Sequence, residues 1–569
     1  MKSILLIALT CAFTLHASET PETLRSPVNQ VFQFTTSGSC SAWADGSTTK
    51  ATAYLWIPET CKKLRGLLIL CANVPEHMLV DHPSIRAVCE ANNLGIFWGT
   101  PSFMNFRKDT AKGTDNAKDY KTTVAFLQQL LDSLGQTSGY DEVATVPWLP
   151  MGESGHLLMV DALVEEMPQR CIAGIWMKNN HLPPKNREVP ALVAYGSAQE
   201  WSQDKLDKDN LDIRTKWNHI GTAYDGILST RKAYPNWPLT YLIDGTSGHF
   251  DCSEKLVQYF ARYIDLVSKA RLSDDGSATL KPIAVEKGFL ADLPVPGHEN
   301  KPVTEFSKAA ADARGLPWFF DKAAAEEAQA IARINWKAET QLTAFADAKG
   351  EIFAFTLNGI TSIPINKMPN PLPGGLPTPV LETEEDGVTF TLKGVLLDQI
   401  PVNFAGAGEK LAKAPGTPTI EWLCGCVEAL GNNKFRMAID RTWPSPIYVA
   451  VRHTGTDSIR AIVQPGQITR DKHDEGTPQK ITFEKIPDVR AGTQSVPLVA
   501  KTDPGMPVSF FVVAGPAVVK DGKLDFTKIP PRTIFPVEVT VGAWQWGRGT
   551  EPKVKTAEIV RQTFKITQP

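Results

Sequence analysis

Apolar and polar positions follow two unlike patterns along the chain, and the change falls near residue 271. Before it, short unbroken apolar runs recur at 66–71 (GLLILC), 95–98 (GIFW), 143–150, 172–177, 191–195 (ALVAY) and 239–243 (LTYLI). Runs of this length without alternation predict strands buried on both faces. Stretches with helical spacing lie between them, at 84–91, 116–134, 157–166, 215–233 and 253–268. Over residues 28–270 this alternation predicts an α/β domain, a doubly wound and mostly parallel sheet covered on both sides.

From 271 the pattern changes. Pro282, Pro294, Pro296 and Pro302 punctuate a connection, and one helix follows with 323–334 (AAAEEAQAIARI) as its clearest part; together they occupy 271–340. Beyond 340 helical spacing disappears, and short apolar stretches at 386–392, 435–439 and 448–452 are separated by Gly, Pro and Asn. Residues 341–478 therefore predict a β-rich domain. Residues 479–569 predict a second β-unit, with strands at 481–483, 509–513, 537–541 and 563–567. Its strand spacing suits a self-contained sandwich with no part in the active site.

A length of 569 residues exceeds what one core supports, in keeping with several domains. A net charge of −3 with no long basic run argues against nucleic acid or an anionic membrane surface as partner. Lys2, the apolar stretch 4–15 and the small Ala17 read as a signal peptide over 1–18. That stretch is too short to span a bilayer and no other reaches that length, so a secreted or periplasmic protein without membrane insertion is expected. Of nine cysteines, Cys11 falls in the leader, which leaves eight. In an exported chain at least one disulfide is expected, although the density is not that of a disulfide scaffold. Cys171 opens a strand and Cys252 follows the last strand, so these two are expected at opposite sheet edges and unpaired. Cys424 and Cys426 have no second Cys or His pair beside them, and no metal site is expected. His77 and His82, which flank Asp81, read as a solvated loop with a helix N-cap. Trp98, Trp148, Trp176, Trp201, Trp217 and Trp237 all fall in the first domain, and most of them are expected in its core. One or two near strand ends, Trp201 for example, are placed to stack on sugar rings.

The chemistry concentrates at Met151-Gly152-Glu153-Ser154-Gly155-His156, between an apolar run and a helical pattern. A serine on a sharp strand-to-helix turn projects its hydroxyl above the sheet edge. The helix N-terminus beyond it directs N–H groups toward a developing oxyanion. Gly155 is one expected donor, and Asn73, in the loop after an earlier strand, is the second. A hydroxyl needs a base. His249, in the small-residue loop DGTSGHF after the last apolar run, fits that role. The acid should follow 191–195, where Gln199 stands at the expected aspartate position; Glu200 and Asp204 are the candidates, and Glu200 is nearer the strand end. His156 reads as a packing or oxyanion-loop residue.

On Gly152-Glu153-Ser154-Gly155-His156 and Gly248-His249-Phe250, residues 28–270 resemble the α/β-hydrolase superfamily, especially secreted bacterial esterases similar to acetyl xylan esterases and polyester depolymerases. Two departures stand out: His156 replaces the usual small residue, and the acid is displaced. Residues 480–569 resemble bacterial immunoglobulin-like modules on Ile486-Pro487-Asp488-Val489, Pro507-Val508-Ser509-Phe510, Ala514-Gly515-Pro516-Ala517 and Thr563-Phe564-Lys565-Ile566, which implies an accessory role. The resemblance implies a cofactor-free serine esterase acting through Ser154, His249 and Glu200, with an acylated carbohydrate as first-choice substrate. A peptidase, a polyester hydrolase or a non-enzymatic binding protein on the same scaffold are the alternatives.

Overall fold

The computed structural model of the chain describes residues 30–569 except 104–115, 179–184, 197–217, 275, 296, 299–300, 334–336, 353–354, 358–376, 380, 401–405, 445–446 and 469–471. The segment read as a signal peptide and the candidates Glu200, Asp204 and Trp201 lie outside the described residues.

Eight strands form the first sheet: β1 (Phe34–Cys40), β2 (Thr49–Trp56), β3 (Gly66–Cys71), β4 (Leu94–Thr100), β5 (Trp148–Glu153), β6 (Gly174–Met177), β7 (Ala191–Gly196) and β8 (Leu239–Asp244). Their order is β1-β2-β4-β3-β5-β6-β7-β8. β1 pairs antiparallel with β2 and β2 with β4, and every later pairing is parallel. The helices are α1 (Val74–Leu79), α2 (Pro83–Ala91), α3 (Asn116–Ser138), α4 (Leu157–Glu166), α5 (Asn218–Ala233) and α6 (Glu254–Arg271). A mostly parallel sheet in this order, with a serine at the turn after β5, is the α/β-hydrolase fold. All residues of β3 to β8 are buried, as unbroken apolar runs require. The strand order reverses where β3 sits between β4 and β5. In open α/β sheets the ligand crevice lies beyond the carboxyl ends of strands at such a switch point. Here those ends lead into Ala72–Val74 and Ser154.

Two readings of this region are corrected. The run 143–150 begins not as strand but with a 3₁₀ turn, Asp141–Ala144, and the strand runs on through polar Glu153. A buried carboxylate can end a strand here because neighbouring side chains satisfy it, as described below. β1 (FTTSGSC) escaped the reading because it is an edge strand with alternating burial and few apolar residues.

Beyond the sheet, α7 (Lys322–Ala332) is capped by the Asp321 side chain, which accepts from the Ala324 N–H at 2.6 Å. It packs on α6, where the Tyr259 hydroxyl donates to the Ala324 carbonyl at 3.1 Å. The remainder is β-rich. An antiparallel sheet of Thr419–Cys424, Ile447–His453 and Ile462–Ile468 is followed by a four-stranded sheet built on Val537–Trp544 and Val560–Thr567. A three-stranded sheet (495–497, 523–526, 517–520) packs on the latter, with Phe526 edge-on to Phe564.

The terminal β-unit shares buried surface with the α/β body. Val512, Val539 and Phe564 join the same apolar core as Phe32, and the Gly515 N–H donates to the Phe32 carbonyl at 3.0 Å. Arg532 reaches Glu142 at 2.7 Å and the Gly139 carbonyl at 3.1 Å, both on the segment leading into β5. These contacts lie at the end of β5 opposite Ser154.

The expected disulfide is absent among the described residues: none joins the eight described cysteines, and seven of them are buried. They behave as small apolar side chains packed into cores. Burial pushes the thiols up, Cys61 to about 11 and Cys89 and Cys171 to about 12, so the thiolate that disulfide exchange requires is suppressed. Cys171 bridges to Trp148 at the start of β5, whereas Cys252 follows β8 at the other end of the sheet.

Candidate active site

Ser154 leaves β5 with φ of 51°, a left-handed backbone uncommon for a residue with a side chain. One 3₁₀ turn, Ser154–His156, carries the chain into α4. Gly152 is required there: a Cβ at that position would stand 2.6 Å from the His156 carbonyl oxygen. The turn lifts the hydroxyl clear of the sheet. Ser154 and Gly155 are partly exposed, while Glu153 and His156 are buried.

Across the opening, His249 Nε2 lies 2.9 Å from Ser154 Oγ. This joins two of the sequence-predicted residues across 95 positions of chain. The His249 ring stands edge-on to Phe250, with centroids 4.7 Å apart.

The loop between β8 and His249 is built of small residues and is fixed by buried charge. Asp244, at the end of β8, accepts from the Thr246 N–H and hydroxyl, both at 3.1 Å, from the Ser253 N–H at 3.1 Å and from the Ser247 hydroxyl. Lys178, fully buried at the end of β6, donates to the Ser247 hydroxyl. Burial alone would raise the Asp244 carboxyl, but the Lys178 charge and these hydrogen bonds outweigh it and hold it below the usual range. On the far side of the loop, Asp251 accepts from the Gly248 N–H at 2.7 Å and pairs with Arg452. Arg452 stands on Ile447–His453 of the β-rich region; it also donates to the Thr246 carbonyl at 2.6 Å and to Glu421 at 2.7 Å. Burial disfavours its charge, but Asp251 and Glu421 more than compensate and raise its affinity for the proton.

Beneath the serine lies a second buried polar group. Glu153 places Oε1 3.2 Å from His249 Nε2. Its backbone N–H donates to Glu76 Oε1 at 2.8 Å, and Glu76 Oε1 lies 3.6 Å from His156 Nδ1. The Asn73 amide donates to the Glu153 carbonyl at 3.2 Å and to its carboxylate. Asn73 is the residue before α1, so its side chain is committed to Glu153 and only its backbone N–H could face an oxyanion.

His77 and His82 are not solvated as expected. His82 caps α2, accepting from the Ser84 N–H at 3.2 Å, and its Nε2 lies 3.2 Å from Glu254 on α6, yet both rings are buried. Burial, reinforced by His156 and opposed by Asp440, lowers the His77 pKa to about 4. The ring is therefore neutral in the fold at a pH where the unfolded chain, at about 6.5, takes up a proton. Its contribution is fully present above about 6.5 and is lost as pH falls toward 4. Thermal melts should drop across this window, and His77→Phe, which keeps the edge-on packing against Trp98, should flatten that part of the profile. An unchanged acid slope in the variant would assign it elsewhere.

β7 ends against the histidine loop: a Cβ on Gly196 would meet the Gly248 carbonyl oxygen at 2.5 Å. The segment bearing Glu200 and Asp204 thus starts beside His249. Glu153, Glu76, Lys178, Asp244, Asp251 and Arg452 were missed in the sequence. A signal existed for Asp244 and Asp251, which bracket the histidine loop; Arg452 is 201 residues from Asp251 and gave none. Among the described residues no group of His, Cys, Asp and Glu is arranged to hold a metal ion, and no helix is long and apolar enough to cross a membrane.

No family model matches the chain, and no curated protein matches it. Among solved structures, it is similar to poly(aspartic acid) hydrolase-1 from Sphingomonas sp. KT-1, at 12% identity and TM-score 0.29 over 41% of this chain and 99% of that one. It is similar to the S-formylglutathione hydrolase FrmB from Staphylococcus aureus, at 11% identity and TM-score 0.25 over 41% and 98%. It is similar also to the poly(3-hydroxybutyrate) depolymerase LpqC from Bordetella parapertussis, at 12% identity and TM-score 0.28 over 42% and 92%. The fold assignment rests on the strand order and the serine turn.

Proposed function

We propose that the protein is a serine hydrolase of carboxylic esters. The observation that carries this reading is the left-handed Ser154 with its hydroxyl 2.9 Å from His249 Nε2. Nε2 takes the Ser154 proton as Oγ attacks the acyl carbon. The tetrahedral oxyanion is held by the Gly155 N–H and by a backbone N–H of the loop 72–74. The imidazolium then protonates the departing alcohol, and the same nitrogen activates water to release the acid from the acyl-serine. Glu153 Oε1 lies 3.2 Å from the same nitrogen. Glu200 completes the triad in this reading, and no metal or cofactor takes part. An exported enzyme acting on acyl groups of a carbohydrate is the finer proposal; it draws on the apolar leader and on the β-rich half attached to the catalytic body.

A fluorophosphonate probe should label the protein at Ser154 alone, as peptide mapping would show. A panel of acetyl, feruloyl and peptide substrates should show turnover of esters over amides. Absence of labelling in folded protein would overturn the hydrolase reading; preference for amides would make it a peptidase.

A further inference from the structure

We propose that Arg452 is a positioning residue for His249, supplied to the active site by the β-rich region. This rests on the hydrolase reading. The loop 245–248 is Gly-Thr-Ser-Gly, a sequence with little intrinsic preference for one conformation. Its placement must come from outside. One flank is held by Asp244 with Lys178 behind Ser247, all within the α/β body. The other flank is held by the Arg452 guanidinium, which donates to the Thr246 carbonyl three residues before the histidine and to the Asp251 carboxylate two residues after it. Asp251 passes the restraint inward, since its other oxygen accepts from the Gly248 N–H, next to His249. Glu421, on the neighbouring strand, fixes the guanidinium from behind. The Asp251 and Arg452 side chains are 1% and 12% exposed, so water competes little for these bonds. A planar fork that grips a carbonyl and a carboxylate together is a task for arginine that lysine cannot reproduce. The surrounding contacts continue the same interface: Phe250 and Val74 pack against Leu423, Cys424 and Ala450.

The test uses the full-length protein with R452M and R452K. Three quantities decide it: kcat and KM on a small soluble ester, the second-order rate of fluorophosphonate labelling at Ser154, and amide exchange over 245–251. Displacing a reacting group by about 1 Å costs on the order of 10²-fold. R452M should therefore lose that factor in both kcat and labelling rate per folded molecule, with KM little changed and exchange over the loop accelerated. R452K should recover part of each. Folded R452M with normal kcat and labelling would overturn the proposal, as would unchanged exchange over 245–251. If R452M does not fold, R452K decides alone: wild-type labelling and exchange would show that the fork is not needed. If the wild type neither labels nor turns over esters, it is the hydrolase reading that fails, and loop exchange still decides whether Arg452 holds the loop.

Discussion

Ser154→Ala should lower ester turnover by a factor on the order of 10⁶, the scale on which removing a serine nucleophile acts. The Gly155 N–H and the bound substrate pose would remain, and they account for the residual rate over water. The alanine keeps a Cβ at the left-handed position, so the backbone strain at φ of 51° is unchanged and the variant should melt close to the wild type. Steady-state kinetics on a small ester, with a thermal melt beside it, checks both halves. Near-normal turnover in pure variant would show that Ser154 is not the nucleophile. A Gly substitution is the informative companion: it relieves the strain and should raise stability slightly while leaving turnover as low.

The second large effect concerns the acid. Glu200→Gln should reduce turnover by up to about 10⁴, because an amide preserves shape but can select the wrong imidazole tautomer. Asp204→Asn should be mild. Glu153→Gln separates a third possibility. Glu153 sits on Nε2, the nitrogen facing Ser154, and not on the opposite side of the ring. While that nitrogen is bare and ready to accept a proton, it has nothing to donate to the carboxylate. Glu153 therefore cannot orient the base in its working tautomer, and its amide should cost far less than that of Glu200. Kinetics of the three amide variants rank them directly. A larger loss from Asp204→Asn would move the triad role there. Little loss from any would mean that another group holds His249.

That Ser154 and His249 come together was legible because their signals are local. Ser154 follows a bare apolar run and precedes a helical pattern, and His249 follows the last such run. The buried strands were legible for the same reason: burial on both faces writes itself as an unbroken apolar string. The edge strand β1, half solvated, leaves no such string. The short helix α1 was missed as well, since six residues opening with Val-Pro-Glu-His show no period. Polar residues that support the site were illegible because burial of charge depends on partners far off in sequence. Glu76 and Glu153 are 77 residues apart, and nothing in either neighbourhood announces the other. The cysteines misled: an even count in an apparently exported chain suggested a crosslink, but among the described residues no disulfide forms and seven of the eight cysteines are buried by packing.

The ion pair between Asp251 and Arg452 bears on how such a protein can be recombined. Its two halves lie on separate parts of the chain, Asp251 just before α6 and Arg452 a full 201 residues downstream. Grafting the body onto a foreign β-domain would leave Asp251 buried without its cation, a change of the kind that costs about 3–5 kcal/mol. Exchanging only the α/β body would deprive Arg452 of Asp251 in the same way, with Glu421 as its remaining carboxylate partner. A crossover between residues 271 and 419 is therefore not neutral, and the two parts are expected to pass through gene shuffling as one inherited block.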